Sequence, residues 1–163
     1  MENRIDTLVD DFTCDDVIKC QMARRELVNI GNEAVPHLIE ALSDKRHWVR
    51  WEAAKALGQI GDKAATEALI KALEDSEFDV RWLAAEALLN IGKSSIIPLL
   101  AALADHGDES LLLRQGAHHV LHDIDRSGLK AILNPVMAAV GETSAAITVP
   151  QIAEKALDSL QNR

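Results

Sequence analysis

Residues 49–73 read V-R-W-E-A-A-K-A-L-G-Q-I-G-D-K-A-A-T-E-A-L-I-K-A-L, and the pattern returns at 80–103 as V-R-W-L-A-A-E-A-L-L-N-I-G-K-S-S-I-I-P-L-L-A-A-L. The two Val-Arg-Trp starts lie 31 residues apart. A period of that size restricts the chain to a repeat array. Each unit is a supersecondary element that cannot hide its apolar side alone, so units must stack on their neighbours.

Composition says what the unit is made of. Hydrophobic residues make up 48% of the chain, aromatics only 3%, and tyrosine is absent. The core must therefore come from Ala, Leu, Ile and Val. Ala and Leu favour helices, whereas strands prefer β-branched and aromatic residues. Each unit then reads as two helices around a glycine. In the first helix, Ala23, Leu27 and Ile30 correspond to Ala53, Leu57 and Ile60, to Ala84, Leu88 and Ile91, and to Ala117, Leu121 and Ile124. Gly31, Gly61 and Gly92 follow the first three sets, as helix terminators do, and Asp125 stands in the fourth. In the second helix, Leu38, Ile39 and Leu42 match Leu69, Ile70 and Leu73, then Leu99, Leu100 and Leu103, then Val136, Met137 and Val140.

The expected fold is all-α: a superhelix, or α-solenoid, of about four helical hairpins with a capping helix at each end. The single domain spans 1–163. A cap covers 1–14, where Ile5, Leu8, Val9 and Phe12 make one apolar face, and the repeats cover about 15–44, 45–75, 76–106 and 107–141. The closing helix, 148–163, aligns with the first-type helices: V-P-Q-I-A-E-K-A-L-D-S-L falls on V-R-W-E-A-A-K-A-L-G-Q-I at a shift of 100. Val49 and Val80 each follow the last apolar residue of the preceding repeat by seven positions, but Leu113 follows Leu103 by ten and Val149 follows Val140 by nine. The fourth repeat also inserts D-R-S-G-L-K-A-I-L-N ahead of Pro135. Pro135 should kink the last second-type helix or delay its start. Extra loop length in a compact array is where function is expected.

The pattern V-R-x-x-A-A-x-A-L-G-x-I-G followed by A-x-x-x-L-I-x-A-L resembles the short HEAT-like repeat named after phycobilisome lyases. The resemblance covers nearly the whole chain and is strongest in the second and third repeats. It implies first-type helices on a convex side, second-type helices on a concave side, and a binding or scaffold role more often than catalysis. The W-L-G-Y pattern of tetratricopeptide repeats and the T-P-L-H of ankyrins are absent.

A net charge of −9 repels phosphate backbones and anionic lipid surfaces, so neither nucleic acid nor membrane is the expected partner. The run K-R-H-W-V-R-W at 45–51 mixes bases and aromatics as nucleic-acid surfaces do, but no other repeat copies it. Cys14 and Cys20 form neither a zinc pattern nor a disulfide framework. No secretory leader is visible, and the apolar runs look short and interrupted; the expectation is a cytoplasmic protein.

No catalytic motif stands out and no cofactor is implied. The candidate contact surfaces are two. Trp51 and Trp82 are equivalent and lie opposite the core face of their helices, with Leu89 seven residues beyond Trp82. These three form an expected convex stripe, able to bind a protein or a second copy of the chain. The other reading of the rings is that they fold down between repeats onto Arg50, Arg81 or Lys55. The second surface is the concave line Glu40, Lys71, Ala101 and Ala138, whose small apolar end, Ala101 and Ala138, would floor a groove.

Arg50 and Arg81 stand at expected helix starts, where the dipole disfavours a cation, so carboxylate partners among Asp44, Asp75 and Asp79 are expected in an inter-repeat ladder. His118 and His122, one helical turn apart, have a spacing that can hold a transition metal. No His-Glu dipeptide occurs, which separates the chain from deoxyhypusine hydroxylase, a HEAT-repeat di-iron enzyme. The function expected from all this is a non-enzymatic protein-interaction or scaffold module. The alternative is a small-ligand or metal-dependent activity resembling a bilin lyase component, for which the chain looks short.

Overall fold

The structure, a computed structural model, describes residues 2–13, 16–124, 126–142 and 147–162. Every regular element among them is helical. Helix α1 spans Glu2–Asp10 and runs into a 3-10 turn, Asp11–Thr13, whose Phe12 is completely buried against α2 and α4. The hairpins follow in order. Helix α2 (Val17–Ile30) precedes α3 (Val35–Ala41), α4 (His47–Ile60) precedes α5 (Thr66–Ala72), and α6 (Phe78–Ile91) precedes α7 (Ile96–His106). Helices α8 (Leu111–Asp123), α9 (Lys130–Gly141) and α10 (Val149–Gln161) complete the chain.

Local chemistry sets these boundaries. The Asp16 carboxylate caps α2 by accepting from the Ile18 and Lys19 amides. Ser110 caps α8 through the Leu113 amide. Gly31, Gly61 and Gly92 all take positive φ, 75°, 70° and 75°, a backbone state that side-chain-bearing residues avoid. Each ends a first-type helix after an Ile. Asp125, which stands in their place in the fourth repeat, lies outside the described residues. The stretch Phe78–His106 is long and apolar enough to cross a membrane by length and composition, with a window of mean hydropathy 1.6. The sequence reading of short, interrupted runs misses that window. The break is conformational: at Gly92 the chain divides into helices of 14 and 11 residues, each below the roughly 20 a spanning helix needs.

The first-type helices α2, α4, α6 and α8 lie side by side, each packed on the next. Close approach of α4 and α6 needs small residues. A Cβ on Gly58 would sit 3.1 Å from the Ala87 Cβ. Ala53, Ala54, Ala84 and Ala85 are buried with it. The second helices cover this row, α3 on α4 and α5 on α6, and one buried cluster runs from Ile5 to Ala156. Leu57 and Leu88, at equivalent positions, are both fully buried. Burying each such leucine contributes about 2 kcal/mol.

Two features sharpen the sequence expectation. Of the two outcomes expected of Pro135 the delayed start does not occur: helix α9 starts at Lys130, five residues before Pro135, so the proline lies inside it. Helix α10 closes the array as expected, but its main neighbours are α7 and α9 rather than α8. Its Val149 approaches the end of α7 so closely that a Cβ on Gly107 would lie 2.8 Å from the valine Cγ1. The helix that aligns with the first row therefore packs on the second.

Candidate functional site

The array is built around an arginine repeated at one position. Arg50, Arg81 and Arg114 each send Nη1 to the carbonyl six residues back: Asp44 O at 2.9 Å, Asp75 O at 2.8 Å and Asp108 O at 3.1 Å. Arg114 donates also to Gly107 O and Arg81 also to Ser76 O. These bonds hold the loop before each first-type helix. The expected carboxylate ladder is present at one rung. The Arg50 fork clasps Asp75 of the next repeat, Nε to Oδ2 at 2.6 Å and Nη2 to Oδ1 at 2.9 Å. Burial pushes the Asp75 carboxyl up, but the Arg50 fork and the Glu77 amide outweigh it and hold its pKa below the usual value. In the preceding repeat Cys20 stands where Arg50 does, so Asp44 has no such arginine across the seam. Its carboxylate pairs instead with Arg46, whose guanidinium hydrogen bonds lower the Asp44 pKa to about 2.

Arg50 and Arg81 do not begin their helices. Helices α4 and α6 start three residues earlier, at His47 and Phe78, and α2 and α8 start at the equivalent Val17 and Leu111. These four first positions lie along one edge of the row, and all are exposed. Val17 is 66% exposed, Phe78 68% and Leu111 50%, with Trp48 and Trp82 nearly half exposed beside them. Two clefts run along this edge. One, of about 400 Å³, joins Val17, His47, Trp48, Trp51 and Asp79. The other, of about 290 Å³, joins Phe78, Arg81, Trp82, Leu112, Gly116 and His119. Gly116 lets α8 pack closely on Leu73 beneath the second cleft, since a Cβ there would lie 2.9 Å from the leucine side chain.

The two tryptophans behave differently despite their equivalence. Trp51 is half-buried, with the Lys55 Nζ 4.3 Å from its ring centre and Arg24 on it at 5.9 Å. It folds down between repeats. Trp82 stays exposed, stacked at 4.7 Å on His119 of the next first-type helix and 6.3 Å from Phe78. Leu89 is half-buried and packs on the core. Phe78, Trp48, Val17 and Leu111 are what a stripe drawn through Trp51, Trp82 and Leu89 leaves out. The only signal for Val17, Phe78 and Leu111 is their shared first position in each helix, and Trp48 follows His47, the equivalent first residue of α4.

On the opposite side, Ala101 is exposed in a groove between α5 and α7, beside Lys71, Glu74, Pro98, Asp105 and His106. Ala138 is exposed on α9, and α10 packs on both α7 and α9. The structure does not bring Ala101 and Ala138 onto one groove floor.

His118 and His122 stack one turn apart, ring centres 6.2 Å apart and planes 27° from parallel. His122 Nδ1 lies 2.6 Å from Asp123 Oδ1, and this contact lowers the Asp123 pKa. His118 Nε2 packs toward Gly141 on α9. His119, between them, binds Glu86 at 3.0 Å. Among the described residues no three His, Cys, Asp or Glu side chains converge as a metal site requires.

The comparisons with known proteins fit this geometry. A family model for HEAT repeats matches residues 5–88 and again 66–158. Among curated protein sequences none matches. A chain of the complex of CpcE and CpcF of phycocyanin lyase from Nostoc sp. PCC7120 is similar, with a TM-score of 0.59 and 22% identity, over 94% of this chain and 99% of that one. An engineered protein of 26% identity gives a TM-score of 0.44 over 96% of this chain and 80% of its own. Near-complete coverage of the lyase chain removes the expectation that this chain is too short to compare with one.

Proposed function

This chain belongs to the HEAT-repeat family, and on that premise we propose that it is a protein-docking module whose contact surface is the edge formed by the first positions of α2, α4, α6 and α8. One observation carries the reading: apolar side chains recur at the first position of three of four successive helices and stay exposed there, with two tryptophans beside them. Natural surfaces rarely leave such residues contiguous without a partner, and tryptophan anchors dominate interface energies. Phe78 and Trp82 form its centre. Trp51 contributes less, because Lys55 and Arg24 cover it. The similar lyase chain works in a complex of two proteins, which is the same kind of use of this fold.

The test is a Phe78→Ala, Trp82→Ala double variant compared with the parent chain. Both side chains are largely outside the core, so urea midpoints should stay within what about 1 kcal/mol shifts. Recovery of partner in affinity capture should fall by tenfold or more. The monomer mass of 17.8 kDa by light scattering at all concentrations would assign the surface to another protein rather than to a second copy. Unchanged capture by the variant would refute the reading.

A lyase-like role is the second reading, supported by the coverage of the CpcE–CpcF chain. Its discriminating measurement is a bilin titration followed by absorbance, expected to show a spectral shift at stoichiometric protein only under that reading.

A further inference from the structure

We propose that the Phe78–Trp82 cleft recognises a partner segment carrying an Asp or Glu side chain next to a large apolar one, with the carboxylate received by Arg81. The proposal rests on the docking reading above and names the chemistry of what docks.

The array supplies its own template. At Arg50, Nη1 holds the loop carbonyl, and Nε and Nη2 form a fork filled by the Asp75 carboxylate. At Arg81 the first half is the same: Nη1 holds Asp75 O and Ser76 O. The second half is open. Among the described residues, nothing accepts from Nε or Nη2 of Arg81, and no carboxylate pairs with it.

The chain's own geometry opens it. The two acids that could stand where Asp75 does are Asp105, two residues after Leu103, and Asp108, six before Arg114. In the other repeats those two countings meet on one residue, Asp44 or Asp75. Here three extra residues separate them, and the structure spends these on lengthening the second helix. Helix α7 has 11 residues against 7 in α3 and α5. Asp105 is thereby carried onto the groove between α5 and α7, its side chain 87% exposed and 3.5 Å from His106 Nδ1. Asp108 is exposed, and its backbone carbonyl serves Arg114.

The open fork sits at the apolar cleft. Arg81 lines it with Trp82, Leu112 and His119, its Cζ 5.6 Å from the Phe78 ring. A guanidinium beside exposed aromatics matches a carboxylate flanked by an apolar side chain: paired forks fix the acid, and the rings take the neighbour. The chain carries −9 overall, so selection of an acid here has to act at contact rather than through long-range attraction.

The experiment is selection of random 12-residue peptides displayed on phage against the full chain. Recovered clones are then measured as synthetic peptides on the parent, on Arg81→Gln and on Trp82→Ala. The expected result is enrichment of Asp or Glu within one helical turn of an aromatic or Leu. Binding should fall at least tenfold both on Arg81→Gln and when the peptide acid is changed to its amide. The amide peptides are read on the unaltered chain, so the outcome does not depend on Arg81→Gln folding. Binders that lose affinity on Trp82→Ala but tolerate both charge removals would overturn the acid recognition and leave the docking surface standing. Binders indifferent to Trp82→Ala, or no enrichment at all, would overturn both.

Discussion

The Arg50–Asp75 pair is the residue contact that most directly ties one repeat to the next. Both side chains are close to nine-tenths buried and both carry full charges, so the pair is worth most when judged by what is lost on breaking it. Asp75→Asn keeps the shape and removes the charge, leaving the Arg50 guanidinium one neutral amide oxygen and the Asp44 carbonyl in place of the carboxylate. Loss of about 3 kcal/mol in urea unfolding at neutral pH is expected. Acid should do the same reversibly. Asp75 and Asp44 both titrate below the ordinary carboxyl range in the folded chain. A lowered folded pKa stabilises at any pH above the unfolded value, near 4, and the contribution is lost as pH falls through the folded value, about 2 for Asp44. Unfolding midpoints measured from pH 5 down to pH 2 should therefore decline in the parent chain. In an Asp44→Asn, Asp75→Asn variant they should decline less steeply; parallel slopes would show that other carboxylates dominate.

At the scale of elements, the end of the array depends on how near α10 comes to α7. Gly107→Ala would drive a methyl against the Leu103 carbonyl and the Val149 side chain. Overpacking of this kind costs about 1–3 kcal/mol. A thermal melt should report that loss, and Val149→Ala added to Gly107→Ala should restore part of it, since the two sites touch. Additive losses in the double variant would mean that α10 is already free to move away. That packing was hidden in the sequence for a physical reason. An apolar stripe records that a face is covered, not which helix covers it, so V-P-Q-I-A-E-K-A-L-D-S-L fits a first-row helix and in fact lies on the second row. The opposite holds for the repeats themselves. Ala53 and Leu57 recur as Ala84 and Leu88 because the same neighbours demand the same volume at each step, and their burial is legible in advance. The docking edge was only half legible. Helix starts at Val17, His47, Phe78 and Leu111 share a position but no residue type, since solvent imposes no shape. The different fates of Trp51 and Trp82 depend on Arg24 and His119, which belong to other repeats and do not recur.

For the whole molecule, side-by-side stacking sets how stability is distributed. Each first-type helix packs on the next, and α4 and α6 are flanked on both sides by helices of neighbouring repeats. Helix α1 packs on the first hairpin alone, whereas α10 is held by both α7 and α9. In such an array the free energy is a sum of unit and nearest-neighbour contributions, so opening starts at the ends and a defect is felt locally. Amide exchange read by mass spectrometry should therefore be slowest in α4 and α6 and fastest in α1. Leu57→Ala removes a fully buried side chain from α4 and should cost about 2–5 kcal/mol. Its signature is spatial: protection should drop most in α2, α4 and α6, and least in α9 and α10, four or more helices away along the chain. An equal drop in every helix would mean that the chain opens as one cooperative block, and the stacked units would then have to be treated as a single core.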